Sequence, residues 1–324
     1  MIPAPRPSLS GLFGADQKRP LYSRLPGLYF ATPPGVKSMM RWLLGARRGG
    51  SEALIRQYLS RLDQVPTGEG RPVPMLFTHD VDTAEGYANL PRLLRVEESL
   101  GLASLTFLVT HRYGWDAALL ASFQERGHRF GVHDTTHDNR LAYLPIAEIR
   151  DRVRRAKEAL GPLDSGAFRA PAFLRSAALY EGICDLVRLD FSSNDWALLW
   201  PHPGDGVGTP FPLRYRRAVC VPTTLPRDGE MLALGLDAAG RLDLLKRKAT
   251  ELWRVDAPAV LLTHPDPTFT DSEARIAAYA DFLRWARDSG AFQLLPPAEC
   301  LKELEGRARI EFDGQDKDHV AGLA

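Results

Sequence analysis

The chain has 324 residues, of which 44% are hydrophobic and 25% charged, and its formal net charge is +1. This composition is typical of a globular protein with a large core, and the length suits one large domain or two small ones. The small net charge excludes a bulk attraction to nucleic acid or to an anionic membrane surface. Cys184, Cys220 and Cys300 lie far apart, which favours reduced thiols over a disulfide framework or a zinc knuckle.

The N-terminal stretch "MIPAPRPSLSGLFG" lacks the apolar region of a secretory signal. No apolar run in the sequence approaches the roughly 18 residues that a membrane-spanning helix needs. We therefore expect a cytoplasmic protein that does not associate with membranes and does not bind nucleic acid.

Residues 1–70 are rich in proline, glycine and arginine and contain one amphipathic stretch, "SEALIRQYLSRL", which predicts a helix over residues 51–62. This composition predicts an N-terminal arm and not a folded domain. The arm would either pack on the following domain as a cover or form a contact between subunits of a homo-oligomer.

From about residue 72 to residue 300, short apolar runs alternate with amphipathic helical windows. The runs that predict strands are "PVPMLFTH", "ASLTFLVT", "HRFGVH", "GAFRAP", "DLVRLDF", "RRAVCVP", "PAVLLTH" and "AFQLL". The alternation predicts a mostly parallel sheet with helical crossovers, curled into an α/β barrel over residues 71–305. Residues 306–324 have the composition of a solvated C-terminal tail.

Polar residues cluster where these predicted strands end: "THDVD" follows the first, "HDTTHD" the third and "THPD" the seventh. Arg169 follows the fourth. In parallel α/β architectures the carboxyl ends of the strands meet at one rim, and sites are built there. We therefore expect these strand ends to face each other across one cleft.

His133 and His137 are spaced so that one helical turn would bring both imidazoles to the same side. Two neutral imidazoles and one carboxylate are a common ligand set for zinc, and they leave a coordination position open for catalysis. Asp80 and Asp82 point the same way from an extended strand, so one carboxylate can bind a metal while the other acts as a base. The alternative is that the two histidines only form hydrogen bonds within a turn.

The motifs and their order resemble those of the polysaccharide deacetylase group, the NodB-homology proteins of carbohydrate esterase family 4. "FTHDVD" stands where that family has Thr-Phe-Asp-Asp, in the spaced form that some members carry, and "GHRFGVHDTTHD" is similar to its paired-histidine motif. "FRAPAF" matches its Arg-x-Pro-Tyr motif except that Ala172 replaces the tyrosine, and "VLLTHP" resembles its late leucine-histidine motif. The resemblance covers about residues 72–300.

This resemblance implies a distorted (β/α)7-type barrel that removes an N-acetyl or similar acyl group from an N-acylated carbohydrate with the help of a divalent ion, most often zinc. The implied metal ligands are Asp82, His133 and His137. Asp80 would be the general base, held ionised and oriented by Arg169, and His264 would be the general acid. The backbone N–H of Ala172 would donate to the oxyanion.

The aspartate-tryptophan motif of the family is matched less specifically. "DFSSNDW" offers Asp195 as the partner of His264 and Trp196 as a substrate contact, but "DFSS" equally matches the stretch that precedes this motif. His79 replaces an apolar residue beside the base, and we interpret it as a hydrogen-bonded histidine of the rim. Asp134 replaces a small hydroxyl residue, and we expect it to support the metal ligands from behind.

Two other functions are compatible with parts of this pattern. One is an amidohydrolase that acts on a small amide that is not a carbohydrate. The other is a catalytically silent barrel that binds carbohydrate. Retention of Asp80, Arg169 and His264 argues against the silent barrel, because binding alone needs neither a base, nor the arginine that orients it, nor an acid.

Overall fold

The structure of the protein is a computed structural model that describes residues 9–14, 24, 36, 51–198, 206–270 and 272–312. Its strands are β1 (Val73–Val81), β2 (Leu105–Leu108), β3 (Arg129–Val132), β4 (Asp164–Phe168), β5 (Leu189–Asp190), β6 (Leu213–Tyr215), β7 (Ala218–Cys220), β8 (Ala259–Thr263), β9 (Phe292–Gln293) and β10 (Ile310–Phe312). Its α-helices are α1 (Leu9–Phe13), α2 (Ser51–Ser60), α3 (Ala84–Glu98), α4 (Ala117–Glu125), α5 (Ile146–Leu160), α6 (Ala177–Ile183), α7 (Asp228–Ala233), α8 (Ala238–Arg254), α9 (Pro267–Thr270), α10 (Glu273–Asp288) and α11 (Pro297–Gly306). Turns of 3₁₀ helix cover Arg61–Gln64, Leu141–Tyr143, Gly161–Leu163 and Pro171–Phe173.

These strands form one sheet in the order β10-β6-β7-β5-β4-β3-β2-β1-β8, with β9 paired to β1. The neighbouring pairs are parallel, apart from the antiparallel hairpin of β6 and β7. Parallel neighbours need long crossover connections, and α3, α4 and α5 supply them between β1, β2, β3 and β4. The mostly parallel sheet with helical crossovers that the sequence predicts is therefore confirmed.

The sheet curls strongly, so that strands far apart in its order approach each other. Side chains from β1, β2, β5, β7 and β8 pack in one buried apolar cluster: Leu76, Phe107, Leu189, Val219 and Val260. The segment after β7 also reaches β8, because the backbone N–H groups of Thr224 and Leu225 donate to the carbonyl oxygen of Val260 at 3.2 and 3.1 Å. A flat sheet would hold β7 and β8 far apart. This curled α/β architecture is the class of fold predicted from the sequence.

Strand β1 lies between β2 and β8, and all of its residues are buried. Successive residues of a strand point to opposite faces. Leu76 accordingly belongs to the cluster inside the curled sheet, whereas Phe77 packs in a second cluster with the surrounding helices. The same alternation directs Thr78 and Asp80 inward and His79 outward, so the end of β1 presents a carboxylate to the interior.

Helices begin where the sequence places a capping side chain. Thr83 accepts a hydrogen bond from the N–H of Gly86 at the start of α3, and Ser272 accepts one from the N–H of Arg275 at the start of α10. In the described ranges of the chain, no helix has the length and apolar character needed to cross a membrane.

The described parts of the N-terminal arm pack on the curled sheet and its helices. Leu12 of α1 is fully buried, and the Arg175 side chain donates to the carbonyl oxygens of Leu12 and Gly11 at 3.0 and 3.2 Å. Tyr58 of α2 is buried, and its hydroxyl donates to the carbonyl oxygen of Thr224 at 3.2 Å. The described residues of the arm thus contact the rest of the fold at these two places. The predicted cover and the predicted contact between subunits both stay predictions.

The predicted solvated tail is wrong at one place. Residues Ile310–Phe312 form β10 and pair in parallel with β6, so the chain adds an edge strand to the sheet after α11. The stretch Ile-Glu-Phe is too short for its alternation of apolar and charged residues to distinguish an edge strand from a tail. The rest of the predicted tail, residues 313–324, lies outside the described residues.

The three cysteines are buried and form no disulfide, as the spacing predicts. Burial raises the pKa of Cys184 to about 11 and that of Cys300 to about 12, and it raises the pKa of Cys220 well above its usual value. All three thiols therefore stay protonated at neutral pH.

Candidate active site

Polar side chains from four strand ends meet at one rim of the curled sheet. Asp80 and Asp82 lie at the end of β1, His133 follows β3, Arg169 follows β4 and His264 follows β8. Because these strands run parallel, their carboxyl ends lie on the same side. The side chains lie close together there, so these strand ends face each other.

Asp82, His133 and His137 form a compact group of metal-ligand atoms. The Oδ1 atom of Asp82 lies 3.3 Å from Nε2 of each histidine, and the ligand atoms of all three residues lie within 4.8 Å of one another. Zinc binds such nitrogen and oxygen ligands at about 2.0–2.2 Å in a tetrahedral arrangement, and these separations fit that geometry. Among the residues that the structure describes, this is the one group of three acidic, histidine or cysteine side chains with this geometry.

The surroundings of His133 prepare it as a ligand. Its Nδ1 atom lies 2.7 Å from the carbonyl oxygen of Arg169, which can only accept, so Nδ1 carries a proton and Nε2 is the nitrogen left to bind an ion. Burial lowers the pKa of His133, but the carboxylates of Asp80 and Asp82 outweigh it and raise that pKa. Because a metal binds the neutral imidazole, zinc affinity at His133 should fall as the pH is lowered.

The Asp82 carboxylate is stabilised by the two imidazoles. Burial raises the pKa of this carboxyl group, but His137 and His133 outweigh burial and hold the pKa well below its usual value. About a quarter of the side chain, 25%, is exposed, while the histidines are buried. Asp82 is therefore ionised and lies on the open side of the ligand group.

Asp80 is held by a buried arginine. The Nη1 atom of Arg169 donates to Oδ1 of Asp80 at 2.7 Å, and Nη2 donates to the hydroxyl of Thr78 at 3.0 Å. The Nε atom of Arg169 donates to the carbonyl oxygen of Phe191 at 3.1 Å, so three fixed acceptors orient the guanidinium. The second carboxylate oxygen of Asp80 lies 3.6 Å from Nε2 of His133 and faces the ligand group. One oxygen is thus anchored and the other is turned toward the cleft.

His264 pairs with Asp228 and not with Asp195, so the pairing predicted from the sequence is wrong. Nδ1 of His264 lies 2.9 Å from Oδ1 of Asp228, and its backbone N–H donates to Oδ2 at 2.6 Å. Nε2 points toward Asp82, 4.0 Å from its Oδ2 atom. Burial lowers the pKa of His264, but Asp228 and then Asp82 and Asp80 outweigh burial and raise it to about 10. His264 is therefore a protonated imidazolium beside the ligand group at neutral pH.

Because of the pair of His264 and Asp228, the metal-free protein is expected to lose stability at alkaline pH. The folded pKa of His264, about 10, is raised above its unfolded value of about 6.5, so the stabilisation is fully present below that unfolded pKa and is lost as the pH rises through 10. Urea unfolding in the presence of a chelator at about pH 7 and about pH 10 measures the loss. In Asp228→Asn the loss between the two pH values should be smaller. Equal losses in parent and variant would contradict the pairing.

Asp195 forms a fully buried ion pair with Lys248 of α8 instead. The Nζ atom of Lys248 lies 2.8 Å from Oδ2 of Asp195, and neither side chain is exposed. Burial raises the pKa of Asp195 to about 6 although Lys248 opposes it, and burial also lowers the pKa of Lys248. The Nζ atom of Lys248 also lies 5.2 Å from the centre of the Trp196 ring and 4.1 Å from the centre of the Tyr58 ring. A substrate contact through Trp196 stays a prediction.

Ala172 has a left-handed backbone, with a φ of 51°, in the turn Pro171–Phe173, which begins two residues after Arg169. This conformation is unfavourable for a residue with a side chain and is found at sites where the backbone itself has a task. Its part as an oxyanion donor stays a prediction.

His79 is fully buried and faces the helical layer, so the predicted rim position is wrong while the predicted hydrogen bonding is correct. Its Nδ1 atom lies 2.7 Å from the hydroxyl of Thr263, and its Nε2 atom lies 2.7 Å from Glu97 of α3. His79 and Thr263 are register partners in β1 and β8. Since Asp80 follows His79 and His264 follows Thr263, this hydrogen bond fixes the two strands at the positions that carry the candidate base and acid.

Asp228 and Asp266 are further carboxylates of this site that were not predicted from the sequence. Asp228 ends "VPTTLPRD", which follows β7, and this place after a strand end is the signal that could have pointed to it. Asp266 is buried beside the start of α3, where its carboxylate accepts from the Thr83 hydroxyl and a side chain at Gly86 would collide with it. Burial and the nearby Asp82 raise the pKa of Asp266 to about 6.

The fold is that of the NodB-type polysaccharide deacetylases, as comparison with solved structures shows. A Mycobacterium smegmatis protein named as a polysaccharide deacetylase superposes with a TM-score of 0.59 at 17% identity, over 75% of this chain and 93% of that one. A Pseudomonas aeruginosa PAO1 protein named as a polysaccharide deacetylase gives 0.55 at 12% identity, over 72% of this chain and 91% of that one.

Puue allantoinase has the same fold, with a TM-score of 0.54 at 13% identity over 74% of this chain and 94% of that one. The sequence itself matches no protein-family model and no curated protein. At these identities the likeness establishes the fold, and the chemistry has to be argued from the site.

Proposed function

We propose that the protein is a metal-dependent hydrolase that removes an N-acetyl or similar acyl group from an N-acylated sugar or polysaccharide. One observation carries the proposal: the ligand group of Asp82, His133 and His137 lies between a carboxylate held by Arg169 and an imidazolium held by Asp228. Hydrolysis of an amide needs a polarised carbonyl, a base for the attacking water and an acid for the departing amine.

A divalent ion held by Asp82, His133 and His137 would supply the polarisation of the amide carbonyl and lower the pKa of a water molecule. Asp80 takes the proton of the attacking water through the carboxylate oxygen that Arg169 does not engage. The hydrogen bond from Arg169 to the other carboxylate oxygen keeps Asp80 in this orientation. Positioned acids and bases typically contribute about 10²–10⁴ in rate each.

His264 completes the reaction on the other side of the ligand group. Asp228 holds Nδ1, so Nε2 carries the proton that is given to the nitrogen of the departing amine. The backbone N–H of Ala172 is the proposed donor to the oxyanion. With one proton of the water taken by Asp80 and one given to the nitrogen by His264, the products are the free carboxylic acid, which ionises once it is in water, and the neutral amine.

The second candidate function is the hydrolysis of a small amide that is not a carbohydrate. It is favoured by one observation, that a protein with this fold is named as an allantoinase. Both candidates use the same site, so the substrate separates them: release of acetate from N-acetylglucosamine oligomers supports the first, and turnover of allantoin in its place supports the second.

The purified protein is expected to carry close to one divalent ion, which His133→Ala should lose together with about 10²-fold or more of the activity. Elemental analysis after dialysis gives the metal content, and acetate release gives the activity. His111→Ala is the matched control, because this histidine is exposed and outside the ligand group. A parent protein without metal, with activity intact in His133→Ala, would overturn the metal dependence.

A further inference from the structure

The loop that carries both candidate histidine ligands has an unfavourable backbone. It runs from the end of β3 to the turn Leu141–Tyr143, and Asp134, His137 and Asn139 all have left-handed φ angles, of 67°, 51° and 59°. Residues with a side chain rarely adopt this conformation, and it persists where surrounding contacts hold it. The metal ligands are therefore fixed by something outside the loop's own backbone preference.

Arg152 of α5 binds three side chains of this loop. Its Nε and Nη2 atoms donate to the two carboxylate oxygens of Asp134, the former at 3.0 Å. Nη1 donates to Oδ2 of Asp138 at 3.0 Å, and Nη2 also reaches the hydroxyl of Thr136 at 2.8 Å. Asp134 is fully buried and 11% of the Arg152 side chain is exposed, so water competes little for these hydrogen bonds.

The anchored positions alternate with the ligands along the chain. Asp134 directly follows His133, while Thr136 and Asp138 stand on either side of His137, so each imidazole has a neighbour that Arg152 fixes. Helix α5 itself is immobilised by Ile149 and Val153, which are fully buried in the same apolar cluster as residues of β3. The Arg152 side chain therefore holds the residues next to His133 and His137 in a fixed position relative to helix α5.

We propose that Arg152 is a positioning residue that sets the affinity of the metal centre by holding His133 and His137 in ligand geometry. This inference rests on the proposed function, because it presupposes that the ligand group binds an ion. Residues behind metal ligands typically change metal affinity about 10–100-fold when they are replaced. A lysine offers one point charge where the planar guanidinium makes a fork of hydrogen bonds, so it can replace Arg152 only in part.

The test measures zinc affinity by competition with a chelator in the parent, Arg152→Met and Arg152→Lys, together with thermal unfolding of each metal-free protein. The expected result is an affinity about 10–100-fold weaker in Arg152→Met and intermediate in Arg152→Lys. Arg155→Met is the matched control, because Arg155 lies on the same helix in an exposed pair with Asp151, and parent-like affinity is expected. Asp138→Ala, which removes the carboxylate that Arg152 binds at a partly exposed position, serves if Arg152→Met does not fold.

The outcomes separate this inference from the proposed function. Parent-like zinc affinity in folded Arg152→Met, or in Asp138→Ala if the former does not fold, would overturn the inference alone. A lowered thermal midpoint with unchanged affinity would mean that Arg152 only stabilises the fold. No zinc binding by the parent would overturn the proposed metal centre and the inference with it. A weaker affinity in the Arg152 variants with an unchanged Arg155→Met supports both.

Discussion

Replacing Asp80 by asparagine is expected to lower kcat by about 10²-fold or more while the metal content stays close to that of the parent protein. The variant loses the acceptor for the proton of the attacking water. Arg169 can still donate to the amide oxygen of the asparagine, which takes the place of the Asp80 Oδ1 atom that lies 2.7 Å from Nη1 of Arg169 in the parent protein. The ligand group remains intact, because Asp80 is not one of its members. Elemental analysis and acetate release, measured on the same preparation, check both halves of this result.

Asp82→Asn is the matched comparison, since the two carboxylates lie two positions apart at the same strand end and differ in what they contact. Asp82 lies 3.3 Å from Nε2 of both histidines, so its neutralisation should cost the metal and the activity together. If Asp80→Asn sheds the ion while Asp82→Asn retains it, the two roles are reversed.

Replacing Lys248 by methionine is expected to destabilise the protein by about 3–5 kcal/mol, because it leaves the buried Asp195 carboxylate without its partner. The two groups lie 2.8 Å apart with no exposure, and the rings of Tyr58 and Trp196 surround the ammonium group. A methionine side chain fills similar space, so the cost comes from the charge and not from a cavity. Urea unfolding at neutral pH gives the free energy of unfolding.

Lys248→Met combined with Asp195→Asn removes both charges and should recover most of that loss. Arg284→Met is the control, because Arg284 pairs with Asp281 at the surface, where the two side chains are 51% and 53% exposed. Its free energy of unfolding is expected to change by no more than about 0.5 kcal/mol. A cost below about 1 kcal/mol for Lys248→Met alone would show that water or another cation compensates Asp195.

The sequence predicted the parallel sheet and the position of its polar rim because both follow from local patterns. The nine buried residues of β1 run to Val81, with Asp80 near their end and Asp82 directly after it. A parallel strand has one carboxyl end, so Asp80 and Asp82 could be assigned to the rim without knowledge of the packing. β10 could not be assigned in the same way, because an edge strand of three residues gains its pairing from β6 and not from its own alternation.

The contacts between distant residues were the part of the site that the sequence left open. Asp228 precedes His264 by 36 residues, and their pairing depends on how α7 lies beside the end of β8. The motif around Asp195 suggested the same role, but α8 places Lys248 beside that carboxylate and takes it out of the cleft. Arg152 likewise reaches the ligand loop only through the packing of α5. Such choices are tertiary and leave no periodic signal.

Because the three cysteines are buried and protonated, the rate at which a thiol reagent modifies them measures local opening of the protein. Cys220 lies in β7 and Cys300 in α11, and both are fully buried, so a thiol reagent can react with them only when the surrounding structure separates. The rate of modification at each position then reports the local opening equilibrium of the sheet and of the last helix separately. The same burial keeps thiolates from competing for zinc in the native protein, and an added surface cysteine would be the single rapidly labelled position.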